Sequence, residues 1–430
     1  VQLPVNPITG SKSQHTNATD MFQEPLKMKN AIQPYAWGSV TAIAELLGRP
    51  APGNQPEAEL WMGAHPKAPS QVWYQARWQN LDELIRKDPL PILGRIAVDH
   101  FGPQLPFLFK VLAVQQPLSI QAHPDKAAAE QGFARENEHG IALTAPNRNY
   151  RDVQHKPECV CALTRFTALC GFRDTAAILD LLRPIWPAHR KNDLDPLSLK
   201  NQVAGLRNFF SHMMKLSKDL QQELVGDLVS AANRSRSAPP SYQWMVRLNT
   251  AYPGDIGVLS PCYLHLVTLE AGQALFLKAG RLHAYLKGVA IEVMANSDNV
   301  LRGGLTPKHV DVDQLLNVVE FRPEPLEILM PDPTGPAIKR YPSFADEFEL
   351  ETMDIRPSNQ YDSGPRVEAP EIVLCLEGQV KMHWGGNGYG MSLERGESVI
   401  VPAQFERYRL VGHGKLYKAG VHHRLFGQQS

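Results

Sequence analysis

Pro117-Leu118-Ser119-Ile120-Gln121-Ala122-His123-Pro124-Asp125-Lys126 is the stretch on which the fold turns. It follows an apolar run, Phe107-Leu108-Phe109-Lys110-Val111-Leu112-Ala113-Val114, that reads as a buried strand. The quoted stretch reads as a second strand, stopped by Pro124. Side chains alternate across a strand, so Ser119, Gln121 and His123 fall on one face. Three polar groups on an otherwise apolar strand need a partner, because burying them unpaired is costly. A metal ion or a polar substrate would serve.

Working outward, residues from Asn30 read as short strands broken by turns, one of them at Tyr35-Ala36-Trp37-Gly38-Ser39. A short helix is expected over 40–47, with Ser39 as its N-cap. Residues 58–66 alternate as a strand that places Glu59 and Trp61 together. His65, beside Pro66, is either a ligand or a structural turn residue. Pro124-Asp125 opens a helix to about residue 136, with the proline at its first position. Residues 155–163 read as another strand. Lys156, Glu158, Val160 and Ala162 point one way from it, and Cys159 and Cys161 the other. From 174 to about 250 the leucine spacing is helical, including 197–203.

Strands return at 263–269. Leu269-Glu270-Ala271-Gly272 and the residues to Gly280 have an echo in Leu393-Glu394-Arg395-Gly396 and the residues to Ala403. The repeat predicts two related β-barrels. The first copy runs on to His283, whereas Arg407 holds the equivalent place in the second, so the C-terminal barrel reads as structural. A helix is expected over 312–319, a Pro-rich linker over 323–336 and a meander over 370–411 that turns at Gly385-Gly386-Asn387-Gly388.

A chain of 430 residues exceeds the usual single-core size, so two or three domains are expected. Its 44 Lys plus Arg balance 44 Asp plus Glu, which argues against a broad nucleic-acid or anionic-membrane surface. Five cysteines, sparse and odd in number, form no disulfide framework and point to a reducing compartment. No apolar run reaches transmembrane length, and the start lacks a signal-peptide pattern. Residues 1–20 read as a disordered leader or an appended expression segment, with Met21 as a natural start.

The candidate chemistry gathers four donors. Gln121 and His123 share a strand face, Glu158 comes from a neighbouring strand, and His283 from a later turn. Such nitrogen and oxygen donors can hold zinc, and a hydrogen-bonded polar core without metal is the alternative. Glu158 would be the sole anion, leaving the site a positive charge suited to a Lewis acid. Lys156 points the same way as Glu158. An ammonium beside a divalent cation is disfavoured, so a lowered pKa and acid–base work are expected of it. Arg302 sits beside glycines that allow close backbone approach, and with Lys308 and Ser119 it could contact an anion.

The stretches 117–126, His155-Lys156-Pro157-Glu158 and His283-Ala284-Tyr285 through Asn296-Ser297-Asp298-Asn299-Val300-Leu301-Arg302 together resemble the type I phosphomannose isomerases. Residues 35–38 and 58–66 resemble the same family, and the likeness spans roughly 28–320. The resemblance implies a mainly β fold with an all-helical insertion: two cupin-type, jelly-roll barrels plus a helical domain. On that reading 21–173 and 258–322 build the catalytic barrel, 174–257 the helical domain and 323–430 the C-terminal barrel. The implied activity is the interconversion of mannose 6-phosphate and fructose 6-phosphate with one Zn²⁺ per chain. The expected partner is a sugar phosphate, with no nucleic acid or membrane, and the chain is expected to be a cytoplasmic monomer. The resemblance places zinc ligands at Gln121, His123, Glu158 and His283, and a catalytic arginine at Arg302. It places proton transfer or ring opening at Lys156 and Asp298, and phosphate contacts at Ser119 and Lys308. Lys156 is the first choice for the mobile base, with Glu292 and Asp298 behind it, acting through a cis-enediol. Arg281-Leu282 stand where the family often has a proline before the histidine, a change expected to loosen that turn. Two other readings share the fold. A non-enzymatic metal-binding cupin would need the ligands but not Arg302 and Lys156. A dioxygenase prefers iron, and the glutamine suits it poorly.

Overall fold

The computed structural model describes residues 22, 24–235, 238–385 and 388–427. Segment 1–20 and the centre of the expected turn, 386–387, lie outside the described residues.

The strand His283–Ala295, 13 residues long, is the spine of a ten-stranded sheet. Residues 288–295 pair antiparallel with Phe107–Val114, and 290–294 pair on the other edge with Glu158–Ala162. Before Gly288 the partners change. Residues 283–287 run beside Phe166–Phe172, and His283 also stands opposite Gln121. Gly288 permits the change: its φ is 124°, and a Cβ there would meet the Arg165 carbonyl oxygen at 2.7 Å. A strand that trades one set of partners for another curls the sheet towards a barrel.

Phe107–Val114 is buried at every position, as its composition requires. The following strand is short, Ile120–Ala122, and pairs with Leu301–Gly304, which sets Gln121 opposite Arg302. The next strand begins at Glu158, not at His155, because Pro157 has no N–H for the ladder. Its alternation divides two cores. Val160 and Ala162 pack inside the barrel with Phe166 and Tyr285. Cys159 and Cys161 pack in the cluster that holds Tyr341 and Tyr417 of the C-terminal half. All five cysteines are free and buried.

The insertion contains Thr175–Leu182, Gln202–Lys215, Lys218–Arg234 and Pro240–Ala251, whose apolar faces share a core with Ile120, Leu282 and Leu305 of the barrel. Asp174, Asn201 and Ser217 cap the first three with side-chain oxygens. Residues 197–203 are not one helix. A 3-10 segment ends at Ser198, and Asn201 caps a new helix from Gln202. Two other helices start later than their sequences imply. Asp125, not Pro124, sets the boundary of Lys126–Glu138, its carboxylate accepting the Ala128 N–H at 2.7 Å. Ala42–Leu46 follows Ser39 at a distance, the serine hydroxyl accepting the Thr41 and Ala42 N–H groups at 3.2 Å. No helix of the described residues is long and apolar enough to cross a membrane.

The C-terminal half is built on Glu371–Trp384 and Arg409–Gly420 within an eleven-stranded sheet, so the meander continues past residue 411. The Leu-Glu-x-Gly echo is a shared turn. Gly272 (φ 88°) and Gly396 (φ 85°) each precede a buried strand, Ala274–Leu277 and Ser398–Val401. This sheet also recruits the start of the chain: Leu26–Lys29 pairs with Ser398–Val401 on one side and Gln71–Tyr74 on the other.

Candidate active site

Three strands deliver side chains to one point. His123 follows Ile120–Ala122, Glu158 opens Glu158–Ala162, and His283 opens His283–Ala295. The Nε2 atoms of His123 and His283 lie 3.3 and 3.4 Å from the two Glu158 carboxylate oxygens. All three residues are buried, with their ligand atoms within 4.8 Å of one another.

The imidazole protons are assigned by their neighbours. His123 Nδ1–H donates to the Asn299 carbonyl at 2.7 Å, and His283 Nδ1–H to the Arg281 carbonyl at 3.0 Å. Each neutral ring therefore turns an Nε2 lone pair inward, and neither Nε2 has a hydrogen-bond partner. Two lone pairs facing a carboxylate repel it unless a cation lies among them. A proton is a poor candidate, since burial and the Lys156 ammonium push His123 down to about 4. Burial alone would raise the Glu158 carboxyl. The Lys156 ammonium, 3.1 Å away, and the imidazoles outweigh it and hold the group well below the usual carboxylate range. A polar core closed by its own hydrogen bonds would leave no such orphans, whereas zinc fits two imidazole nitrogens and a carboxylate. The turn before His283 is tied down without a proline: Arg281 ion-pairs with Glu324, and the Leu282 carbonyl accepts the Gly171 N–H at 2.8 Å.

Beside this cluster lies a cavity of about 790 Å³ whose lining includes Ser119, Gln121, Lys156, Asp298, Arg302 and Lys308. Gln121, in register with both His283 and Arg302, stands where it could add an oxygen donor. Asp298 binds Lys67 at 2.8 Å and faces His65 at 3.5 Å. Burial would raise its carboxyl, and these two contacts hold it far below the ordinary value instead. His65 is thereby a partner of Asp298 rather than of the three-donor cluster. Glu292 is not part of the lining. Its carboxylate accepts from the Tyr285 hydroxyl and the Lys110 ammonium, each at 2.9 Å.

Residues 26–175 match the model of the phosphomannose isomerase type I catalytic domain, 187–265 that of its helical insertion domain, and 337–420 that of the mannose-6-phosphate isomerase cupin domain. The mannose-6-phosphate isomerase of Escherichia coli (strain K12) is 39% identical over 401 residues, covering 93% of this chain and 100% of that protein. The chain belongs to the type I phosphomannose isomerase family. Mannose-6-phosphate isomerase 1 of Arabidopsis thaliana is 34% identical, covering 93% of this chain and 94% of that one. A solved mannose 6-phosphate isomerase from Salmonella typhimurium, bound to its substrate and to zinc, matches with a TM-score of 0.84 at 38% identity, covering 92% of this chain and 99% of that one. A zinc-bound holo mannose 6-phosphate isomerase matches at 0.85, again at 38% identity and with the same coverage.

The chain also builds its site from residues that strand and helix patterns did not single out. Lys110 lies buried between Glu292 and Glu59, the latter at 3.5 Å; a charge amid an apolar strand was the available signal. Asn299, fully buried, holds His123 through its carbonyl, while its Oδ1 accepts the N–H groups of Arg151 and Asp152 at 2.6 and 3.2 Å. Two further clusters of potential ligands are less suited to a metal. In the first, Glu349, His422 and His423, the Arg340 guanidinium already stands 3.4 Å from Glu349; the second, His189, Glu223 and Asp227, is exposed. Arg407, the counterpart of His283, pairs with Asp362 at 2.7 Å on the surface.

Proposed function

We propose that the chain is a zinc-dependent isomerase that interconverts mannose 6-phosphate and fructose 6-phosphate through a cis-enediol. The observation that carries this reading is the two-part chemistry around one cavity. A buried, unsatisfied donor cluster adjoins a lining that includes Arg302 and Lys308, which have no carboxylate partner among the described residues.

Gln121, His123, Glu158 and His283 would hold one zinc ion. Bound there, the ion supplies Lewis acidity towards a sugar oxygen, with Glu158 as the only anionic donor. Lys156, held 3.1 Å from Glu158 on the cavity wall, is the assigned proton carrier. Acting as the free amine, it takes the proton from C2 of the open-chain aldose and returns it to C1, while the hydroxyl proton of O2 passes to O1, so that the C1 carbonyl becomes a hydroxyl and the C2 hydroxyl a carbonyl. Asp298 is committed to Lys67, and Glu292 to Lys110 and Tyr285, which ranks both carboxylates behind it. Arg302 faces the enediolate charge, a contribution of about 3–4 kcal/mol for one well-placed donor. Ser119 and Lys308 take the phosphate, whose binding energy is gained away from the reacting carbons.

The test is a coupled assay for conversion of mannose 6-phosphate to fructose 6-phosphate, with and without a chelator. Turnover should vanish with the metal and return with added zinc. A zinc-loaded chain that fails to turn over, or a metal-free chain that is fully active, overturns the reading.

A further inference from the structure

Arg151 lines the same cavity as Arg302 and Lys308, on a loop whose backbone is locked in place. Its N–H donates to the fully buried Asn299 side chain at 2.6 Å. The neighbouring Asp152 carboxylate accepts from the Ser297 hydroxyl and the Asp298 N–H, each at 2.9 Å. The guanidinium itself spends one N–H on the Leu143 carbonyl at 3.1 Å, a neutral acceptor that leaves its charge uncompensated.

The carboxylates of the cavity do not compensate it either. Asp298 is committed to Lys67, and Glu59 to the Lys110 ammonium at 3.5 Å and the Trp61 indole at 2.6 Å. Among the described residues, Arg151, Arg302 and Lys308 form no ion pair with any carboxylate. They act on one another instead. Burial and Arg151 lower Arg302, and burial followed by Arg302, Arg151 and Lys67 lowers Lys308. Gathering like charges is unfavourable unless a multiply charged anion occupies the space between them. A phosphate monoester carries about −1.5 to −2 at pH 7 and three acceptor oxygens, which suits a site with more than one cationic arm. A guanidinium adds a planar fork that fits two of those oxygens.

We infer that Arg151 joins Lys308 as a second cationic arm of the phosphate site and strengthens its selection of a phosphorylated over an unphosphorylated sugar. This assignment rests on the isomerase reading and adds a specificity residue to it.

The experiment compares zinc-loaded wild type, Arg151→Gln and Arg151→Lys, using mannose 6-phosphate as substrate and inorganic phosphate as competitive inhibitor. In Arg151→Gln, KM and the phosphate inhibition constant should rise together by about ten- to a hundredfold, the scale of one charge-assisted hydrogen bond. Turnover should stay within about threefold and zinc at one per chain. Arg151→Lys should recover part of the loss, since it restores charge without the fork. Unchanged KM and inhibition constants, a fall in kcat with KM constant, or loss of zinc would each overturn the assignment. If wild type does not isomerise mannose 6-phosphate, the isomerase reading fails alone. Calorimetric binding of inorganic phosphate to wild type and Arg151→Gln then decides the residue's role: weaker binding by the variant supports it, and equal binding refutes it.

Discussion

Replacing Lys110 by methionine takes a buried cation from between two buried carboxylates. Its ammonium stands 2.9 Å from Glu292 and 3.5 Å from Glu59. The three residues are 7%, 3% and 9% exposed, so water cannot substitute for the lost charge. Glu59 keeps the Trp61 indole and Glu292 keeps the Tyr285 hydroxyl, neither of which neutralises a carboxylate. Removing one member of a buried ion pair costs about 3–5 kcal/mol, mostly because the other charge is left unpaired. Lys110→Met should lose that much, and Lys110→Met with Glu292→Gln should recover a large part of it. The deficit should also depend on pH. Burial first, then Glu158 and Glu59, already raise the Glu292 carboxyl, and Lys110 opposes them. Without Lys110 the folded pKa rises further. The folded state then keeps a proton that the unfolded chain releases above about 4.3. Stability therefore falls as pH rises from that value through the folded pKa and is level beyond it. Urea unfolding followed by tryptophan fluorescence reads this directly, with Trp61 5.6 Å from the ammonium. A deficit below about 1 kcal/mol, or a double variant no more stable than the single one, would refute the reasoning.

Other outcomes follow from the same structure. Asn299→Ala strands the N–H groups of Arg151 and Asp152 and should cost about 2–3 kcal/mol in urea unfolding, while the backbone carbonyl that holds His123 keeps zinc content unchanged. A loss of zinc in that variant would mean that the side chain supports the metal after all. Lys156→Met should lower kcat by about 10²–10⁴ at normal zinc content; preserved turnover would move the proton carrier elsewhere. Tyr341→Phe removes a hydroxyl that donates to the Gly272 carbonyl at 2.8 Å and contacts Cys161 at 3.0 Å across the two halves, and should cost about 1 kcal/mol in the same unfolding assay.

Alternation along single strands was readable because side-chain direction is a local property. Glu158 beside Lys156, the two-sided burial of Glu158–Ala162 and the helical character of the insertion all follow from spacing of a few residues. The pairing of Leu26–Lys29 with Ser398–Val401 was not readable, because backbone ladders over such separations leave no mark in composition. Residues 197–203 carry helical spacing, yet Asn201 offers its side chain to the next turn's N–H groups, and the local cap wins over the apolar pattern. Asp125 overrides Pro124 for the same reason. The roles of Arg151 and Asn299 were not legible, because they lie in one buried backbone contact and one shared cavity, neither of which leaves a pattern in the sequence.

Metal analysis and turnover measured on the same preparations test the central claim most directly, using wild type, His123→Ala and His283→Ala. The account predicts one zinc per wild-type chain, isomerisation of mannose 6-phosphate that scales with zinc content, and loss of both in each variant. Full activity in a chain without metal, or a full zinc complement in both histidine variants, would contradict it.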